Sequence, residues 1–159
     1  VSQLRERKVK RHYLALVVGE PISGLTIDEP IGRHPKLRKK QAVNDKGKEA
    51  ITTFKISHKM NGYSLLNVSL KTGRTHQIRV HFSYKGNPLL GDKKYGKKKL
   101  VFRKINKKFN KILTNFNRQA LHAKSLGFIH PRNNKLVNFD SKLPHDLKNI
   151  LDFLENFDN

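Results

Sequence analysis

The chain has 159 residues, with 34 Lys or Arg against 12 Asp or Glu and a formal charge of +22 at pH 7. That length suffices for one domain with its own core, and so large a positive excess strains a compact fold unless a polyanion relieves it, which points to nucleic acid. The lack of cysteine excludes disulfides and thiolate zinc sites, and no apolar run approaches the length of a membrane span. From Lys8 to Gly19 the chain alternates and then runs apolar through Leu14, Ala15, Leu16, Val17 and Val18, which predicts a central strand stopped by Glu20-Pro21. Residues 20–40 carry Pro21, Gly24, Pro30, Gly32 and Pro35 ahead of a basic tail, Lys36 to Lys40, and are expected as a loop with one short strand at Leu25–Ile27. Two β-rich runs, Glu49–His58 and Tyr63–Lys71, flank Met60-Asn61-Gly62, and Asn-Gly between alternating apolar runs predicts a hairpin.

Thr75 to Lys85 is expected as a short helix with Thr75 as N-cap, Ile78 and Phe82 on one face, Gly86 just past the end and Pro88 beyond. Residues 93–117 form a Lys-rich insertion or arm with a spaced apolar set running from Leu100 to Phe116. Two more strands are predicted at Ala120–Ile129 and Leu136–Phe139, joined by a turn at Pro131-Arg132-Asn133-Asn134. Pro144 then opens a last helix with Leu147, Ile150, Leu151 and Leu154 on one stripe. The predicted class is therefore α+β: a mostly antiparallel mixed sheet with flanking helices. The eight histidines lack paired metal spacing, His76 and His81 being five apart and His122 and His130 eight apart, so no metal site is expected.

Functional groups concentrate in Lys71-Thr72-Gly73-Arg74-Thr75-His76-Gln77-Ile78-Arg79-Val80-His81, followed by Gly86-Asn87-Pro88-Leu89-Leu90-Gly91-Asp92. A glycine turn, two arginines, two histidines and a glutamine in one short run exceed what packing requires. This run resembles the TGRTHQ[IL]RVH…G-x-P-[IL]-x-GD signature of the RluA-type pseudouridine synthases. Four further stretches are similar to that family in the same order: Arg7 to Gly19, with Arg11 where the family has lysine; Gly47-Lys48-Glu49-Ala50-Ile51-Thr52; Arg118 to Pro131; and Leu143-Pro144-His145-Asp146-Leu147. The resemblance implies the pseudouridine synthase catalytic fold, an RNA substrate (ribosomal or transfer RNA), no cofactor and no metal.

In that family's reaction a uracil is detached from its ribose, turned and rejoined through C5, which requires the nucleotide to leave its stack. The resemblance places Tyr13 against the flipped base, as a stacking face and candidate for taking the C5 proton. It makes Arg79 the partner that keeps a catalytic aspartate ionised, and Ile78 a wall of the uracil pocket. Arg74, His76 and Gln77 gather at the expected helix start, where free N–H groups favour an anion such as a flanking phosphate. His81 and His122 are expected in structural hydrogen bonds, Asp92 in bracing the turn after Gly91, and Lys97, Lys98 and Lys99 on the RNA backbone.

The family's nucleophile lies in an R-L-D loop upstream of the tyrosine. No Arg-Leu-Asp occurs here, only twelve residues precede Tyr13, and Asp28, Asp45 and Asp92 lack the context. The chain is expected to be the carboxyl-terminal part of a catalytic domain, incomplete at its N-terminus, inactive by itself, intracellular and monomeric. Its parent would be the enzyme. The alternative is an inert RNA-binding or ribosome-assembly protein derived from this fold. An Arg79 with no carboxylate partner would argue against that alternative. A sheet lacking upstream strands would expose an edge and favour self-association.

Overall fold

The computed structural model describes residues 2–6, 8–60, 62–96, 112 and 115–156. A short helix α1 (Ser2–Arg5) precedes strand β1 (Lys10–Val18), followed by β2 (Thr26–Asp28), β3 (Ile31–Arg33), β4 (Gln41–Val43), β5 (Ile51–Met60) and β6 (Tyr63–Leu70). Helix α2 (Gln77–Tyr84), strands β7 (Leu121–Ile129) and β8 (Leu136–Asp140), and helix α3 (His145–Glu155) complete the described elements. Six strands form one sheet in the order β2-β5-β6-β1-β7-β8, and β3 pairs with β4 in a separate ribbon. Every strand pair among the described residues is antiparallel, so the sheet is not mixed. None of the described helices is long and apolar enough to cross a membrane.

β1 is central because its apolar run buries both faces. Alternate side chains point to opposite sides of a strand, so Leu16 joins one cluster while Ala15 and Val17 join another. The first cluster seals α3 through Leu147, Ile150, Leu151 and Leu154, the stripe that helical periodicity predicted. The second holds Ile78 and Phe82 of α2 against Phe54, Leu66 and Val68, with the Phe54 and Phe82 rings edge to face at 5.1 Å. Gly62 closes the β5–β6 hairpin at φ 80°, where only glycine sits without strain.

Two irregularities shape the surroundings of β1. Across β1 and β7, His12 faces Ser125 while Tyr13 faces Ala123, so Lys124 is an extra residue that bulges the ladder beside Tyr13. Pro88 to Leu90 runs alongside the end of β1: Val18 N donates to Pro88 O, Leu90 N to Leu16 O and Ala120 N to Leu90 O. That wedge fixes where the Gly91-Asp92 turn emerges.

The expected loop over 20–40 also contains β3, whose partner β4 comes directly after it; both are three-residue strands. The expected helix from Thr75 begins instead at Gln77, because His76 occupies the N-cap in a left-handed conformation (φ 58°) and no side chain caps the helix. Most of the Lys-rich insertion, with Lys97, Lys98 and Lys99, lies outside the described residues. Phe116 at its end is buried in the first cluster, with Ile112 partly buried against it.

Candidate functional site

The site is built on a polar hub. Gln77 is 2% exposed, and its amide makes four hydrogen bonds. Oε1 accepts from Thr72 Oγ1 (2.9 Å) and Arg74 N (2.9 Å); Nε2 donates to Ile51 O (3.0 Å) and Thr52 Oγ1 (3.0 Å). That saturates a carboxamide. Both ends of the Gln77 side chain, expected as a substrate contact, are thus engaged within the fold. Gln77 ties the Thr72–Arg74 turn and the start of α2 to β5. His81, fully buried, extends the network: its Nδ1 meets Thr52 Oγ1 at 2.9 Å and its Nε2 meets Glu29 O at 2.9 Å. Glu29 O can only accept, so Nε2 carries the ring proton, and in the neutral ring Nδ1 accepts from the Thr52 hydroxyl. Burial pushes the His81 pKa down, against the opposing pull of the Glu29 carbonyl and charge.

Arg79 projects from the next turn of α2 and is not unpaired. Its Nε donates to Asp92 Oδ2 and its Nη2 to Asp92 Oδ1, both at 2.8 Å, with the side chains 13% and 1% exposed. This overturns the expectation of an arginine without a carboxylate partner. Asp92 Oδ1 also accepts from Lys94 N and Tyr95 N, each at 3.0 Å, so the expected turn-bracing and the ion pair are one arrangement. Burial disfavours the Asp92 carboxylate. The hydrogen bonds from Arg79, Tyr95 and Lys94 and the guanidinium charge outweigh it, holding the pKa below the usual carboxylate value. One edge of the guanidinium is thereby fixed, and Nη1 has no partner among the described residues.

Tyr95 is the residue that sequence reasoning passed over. Its ring lies under the Arg79 guanidinium, 4.9 Å from the centroid, a cation–π distance. Its hydroxyl accepts from Gln41 N (3.1 Å) and meets His76 Nδ1 at 2.8 Å. Burial, then the charges of Arg79 and Lys94, lower the His76 pKa despite Asp92 nearby. A neutral His76 accepts the Tyr95 O–H, and this bond holds the left-handed backbone, a conformation rare outside glycine. His76 is thus a strut with only Nε2 left to a ligand.

Arg74 Nε donates to Glu49 O at 2.8 Å, which anchors the side chain across the start of β5. Ile78 is buried in the second cluster, and Tyr13 packs partly buried against that cluster, its hydroxyl without a hydrogen bond among the described residues. His122 Nε2 donates to Ser141 O at 3.0 Å, a bond that ties β7 to the chain just after β8. Arg11, two residues before Tyr13, lays its guanidinium over Gly73 so closely that a Cβ there would overlap it. No group of three or more metal-ligating side chains occurs among the described residues.

Residues 1–84 match the family model described as RNA pseudouridylate synthase. The chain belongs to the RNA pseudouridylate synthase family. It is 40% identical over 154 residues to ribosomal large subunit pseudouridine synthase D of Xanthomonas campestris, covering 97% of this chain and 46% of that protein. The protein of the same name in Pseudomonas aeruginosa is 42% identical, over 97% of this chain and 48% of its own length. The chain thus spans about half the length of these curated relatives. Among solved structures, human RNA Pseudouridylate Synthase Domain Containing 4 superposes with a TM-score of 0.73 at 25% identity, over 97% of this chain and 65% of that one. Human RNA Pseudouridylate Synthase Domain Containing 1 gives 0.70 at 28% identity, over 90% and 58%.

The family's signature run forms the α2 site, and the spacing from Asp92 to Tyr95 is one tight turn. A signal for Tyr95 existed in Gly91-Asp92-Lys93-Lys94-Tyr95-Gly96: an Asp three residues ahead of an aromatic, closing an Asx-type turn.

Proposed function

We propose that a protein carrying this chain together with a nucleophilic aspartate isomerises specific uridines of ribosomal or transfer RNA to pseudouridine. The observation that carries this reading is the Arg79 guanidinium, fixed through Nε and Nη2 by buried Asp92 and supported on Tyr95. One edge stays available to a second carboxylate, and an arginine beside that carboxylate keeps it ionised and aimed, as a nucleophile requires. Tyr13 is proposed as the stacking face for the uracil and the acceptor of its C5 proton, and Ile78 as an apolar wall. Arg74 is proposed as a phosphate contact. No metal or cofactor has a part in the proposed chemistry, and Lys97, Lys98 and Lys99 are proposed to follow the RNA backbone.

The 159 residues contain no Arg-Leu-Asp, so the chain by itself is proposed to be inactive, since deleting a nucleophile costs orders of magnitude in rate. The test uses ribosomal RNA tritiated at uracil C5, which loses tritium when C5 becomes the glycosidic carbon. The chain alone should release none. The chain extended upstream by the aspartate loop of a relative should release it, and Arg79→Ala in that extended protein should abolish release. Release by the 159 residues alone, or none by the extended protein, would refute the proposal.

One observation favours a second reading. Arg79 is paired with Asp92 without any added carboxylate, so a catalytically inert RNA-binding protein could retain it without leaving a buried charge unpaired. RNA binding without tritium release from the extended protein would select that reading.

A further inference from the structure

Beside the Arg79 site, a cleft of about 290 Å³ opens between the β3–β4 ribbon, α2 and the turn after Asp92. His34, Lys40, Ser83, Tyr84, Lys94 and Tyr95 line it, and none of its lining residues is acidic. The Lys40 and Lys94 ammonium groups stand 6.0 and 5.8 Å from the Tyr95 ring centroid. Neither has a carboxylate partner among the described residues. Two like charges gathered at one ring repel each other, and a bound anion removes that cost.

The ribbon that carries Lys40 is held in shape. His34 Nδ1 accepts from Lys36 N (3.2 Å) and Leu37 N (3.1 Å), and His34 N donates to Lys40 O (3.0 Å). His34 Nε2–H is thus left as a donor at the cleft. The tip adds exposed Lys36, Arg38 and Lys39 on the approach. Tyr84 is 55% exposed, which adds an aromatic face to a cationic groove, the combination that suits a single strand of nucleic acid better than an acidic protein.

We propose that this cleft is a phosphate subsite, holding the RNA backbone one step along the strand from the nucleotide at Arg79. The inference rests on the proposed RNA substrate and goes beyond it by naming where the strand continues. Tyr95 forms the shared wall: Arg79 lies over its ring, and its hydroxyl takes Gln41 N of β4. A phosphate that draws Lys40 and Lys94 together therefore presses on the ring that supports Arg79.

The test is fluorescence anisotropy of a labelled oligouridylate with the full chain across a range of KCl concentrations. For one phosphate released, the slope of log K against log salt should shrink by about 0.7 in Lys40→Gln/Lys94→Gln. Lys40→Arg/Lys94→Arg should keep the wild-type slope, as should Lys135→Gln/Lys142→Gln on the β8 side. An unchanged slope in the first variant, or an equal loss in the last, would overturn the subsite while leaving the RNA reading intact. So would tight binding of inorganic phosphate at Lys40 and Lys94 that oligouridylate does not displace. No binding of oligouridylate by the wild-type chain would remove both.

Discussion

Replacing Asp92 by Ala tests whether the site is held by a buried ion pair. Asp92 accepts four hydrogen bonds: two from Arg79 at 2.8 Å and one each from Lys94 N and Tyr95 N at 3.0 Å. Removing one partner of a buried pair costs about 3–5 kcal/mol, because the other charge stays desolvated. Arg79 is 13% exposed, so some water reaches it, and about 3 kcal/mol is the appropriate end of that range. In a chain of this size that loss lowers the melting temperature by roughly 6–12 °C. Asp92→Asn keeps an oxygen for the two backbone N–H groups but loses the charge and sets an NH2 against Arg79 Nε–H, so it should cost about 2 kcal/mol. Urea titration monitored by circular dichroism reads both, and the difference should persist at high salt because buried pairs are weakly screened. A loss below about 1 kcal/mol for Asp92→Ala, or strict additivity of Asp92→Ala with Arg79→Met, would show that the pair carries no stability.

His81 predicts a pH dependence. Its folded pKa lies below the unfolded value, so the folded state binds fewer protons, and stability falls as pH drops from about 6.5 through the folded pKa. Urea midpoints measured on either side of that window should show the decline, and His81→Gln should flatten it; an equal slope in both proteins would exclude His81 as the cause. Ile150→Ala empties a fully buried position under α3 and should cost about 2–5 kcal/mol, read from the same titration. A loss under about 1 kcal/mol would mean that α3 is not sealed onto the sheet. Gly91 and Gly24 both have positive φ, 70° and 78°, but a Cβ at Gly91 meets Arg118 O and the Phe116 ring, whereas Gly24 faces open space. Gly24→Ala should cost about 1 kcal/mol and Gly91→Ala at least twice that, and thermal melts giving equal losses would contradict the crowding.

What the sequence disclosed tracked the strength of its periodicities. β1, the β5–β6 hairpin and α3 were legible because long apolar patterns and an Asn-Gly turn leave little choice of period. The β3–β4 ribbon was not, since three-residue strands among Pro, Gly and Lys carry no pattern to read. The start of α2 misled for a physical reason: Thr75 satisfies the capping rule, but Gln77 wins by tying the turn to β5 through four hydrogen bonds. Arg74, Ile78, Arg79 and Tyr13 could be singled out through a family signature. That Asp92 would pair with Arg79 could not, because the contact depends on the wedge of Pro88 to Leu90 beside β1. Tyr95 could be read as the end of the Asp92 turn, but its contacts with Arg79, His76 and Gln41 could not, because they come from distant segments meeting at one ring.

The bulge at Lys124 has an implication for chain length. Side chains alternate with a period of two, so removing one residue from a strand turns everything beyond it to the other face. Lys124 escapes that rule: without it Ala123 and Ser125 become neighbours opposite Tyr13 and His12, on the faces they already hold, and the pairing of Ser125 to Ile129 with β8 is kept. The turn over 131–134 can likewise grow or shrink without touching that parity. A one-residue deletion in β7 is therefore absorbed at the bulge but inverts the faces when it falls elsewhere in the strand.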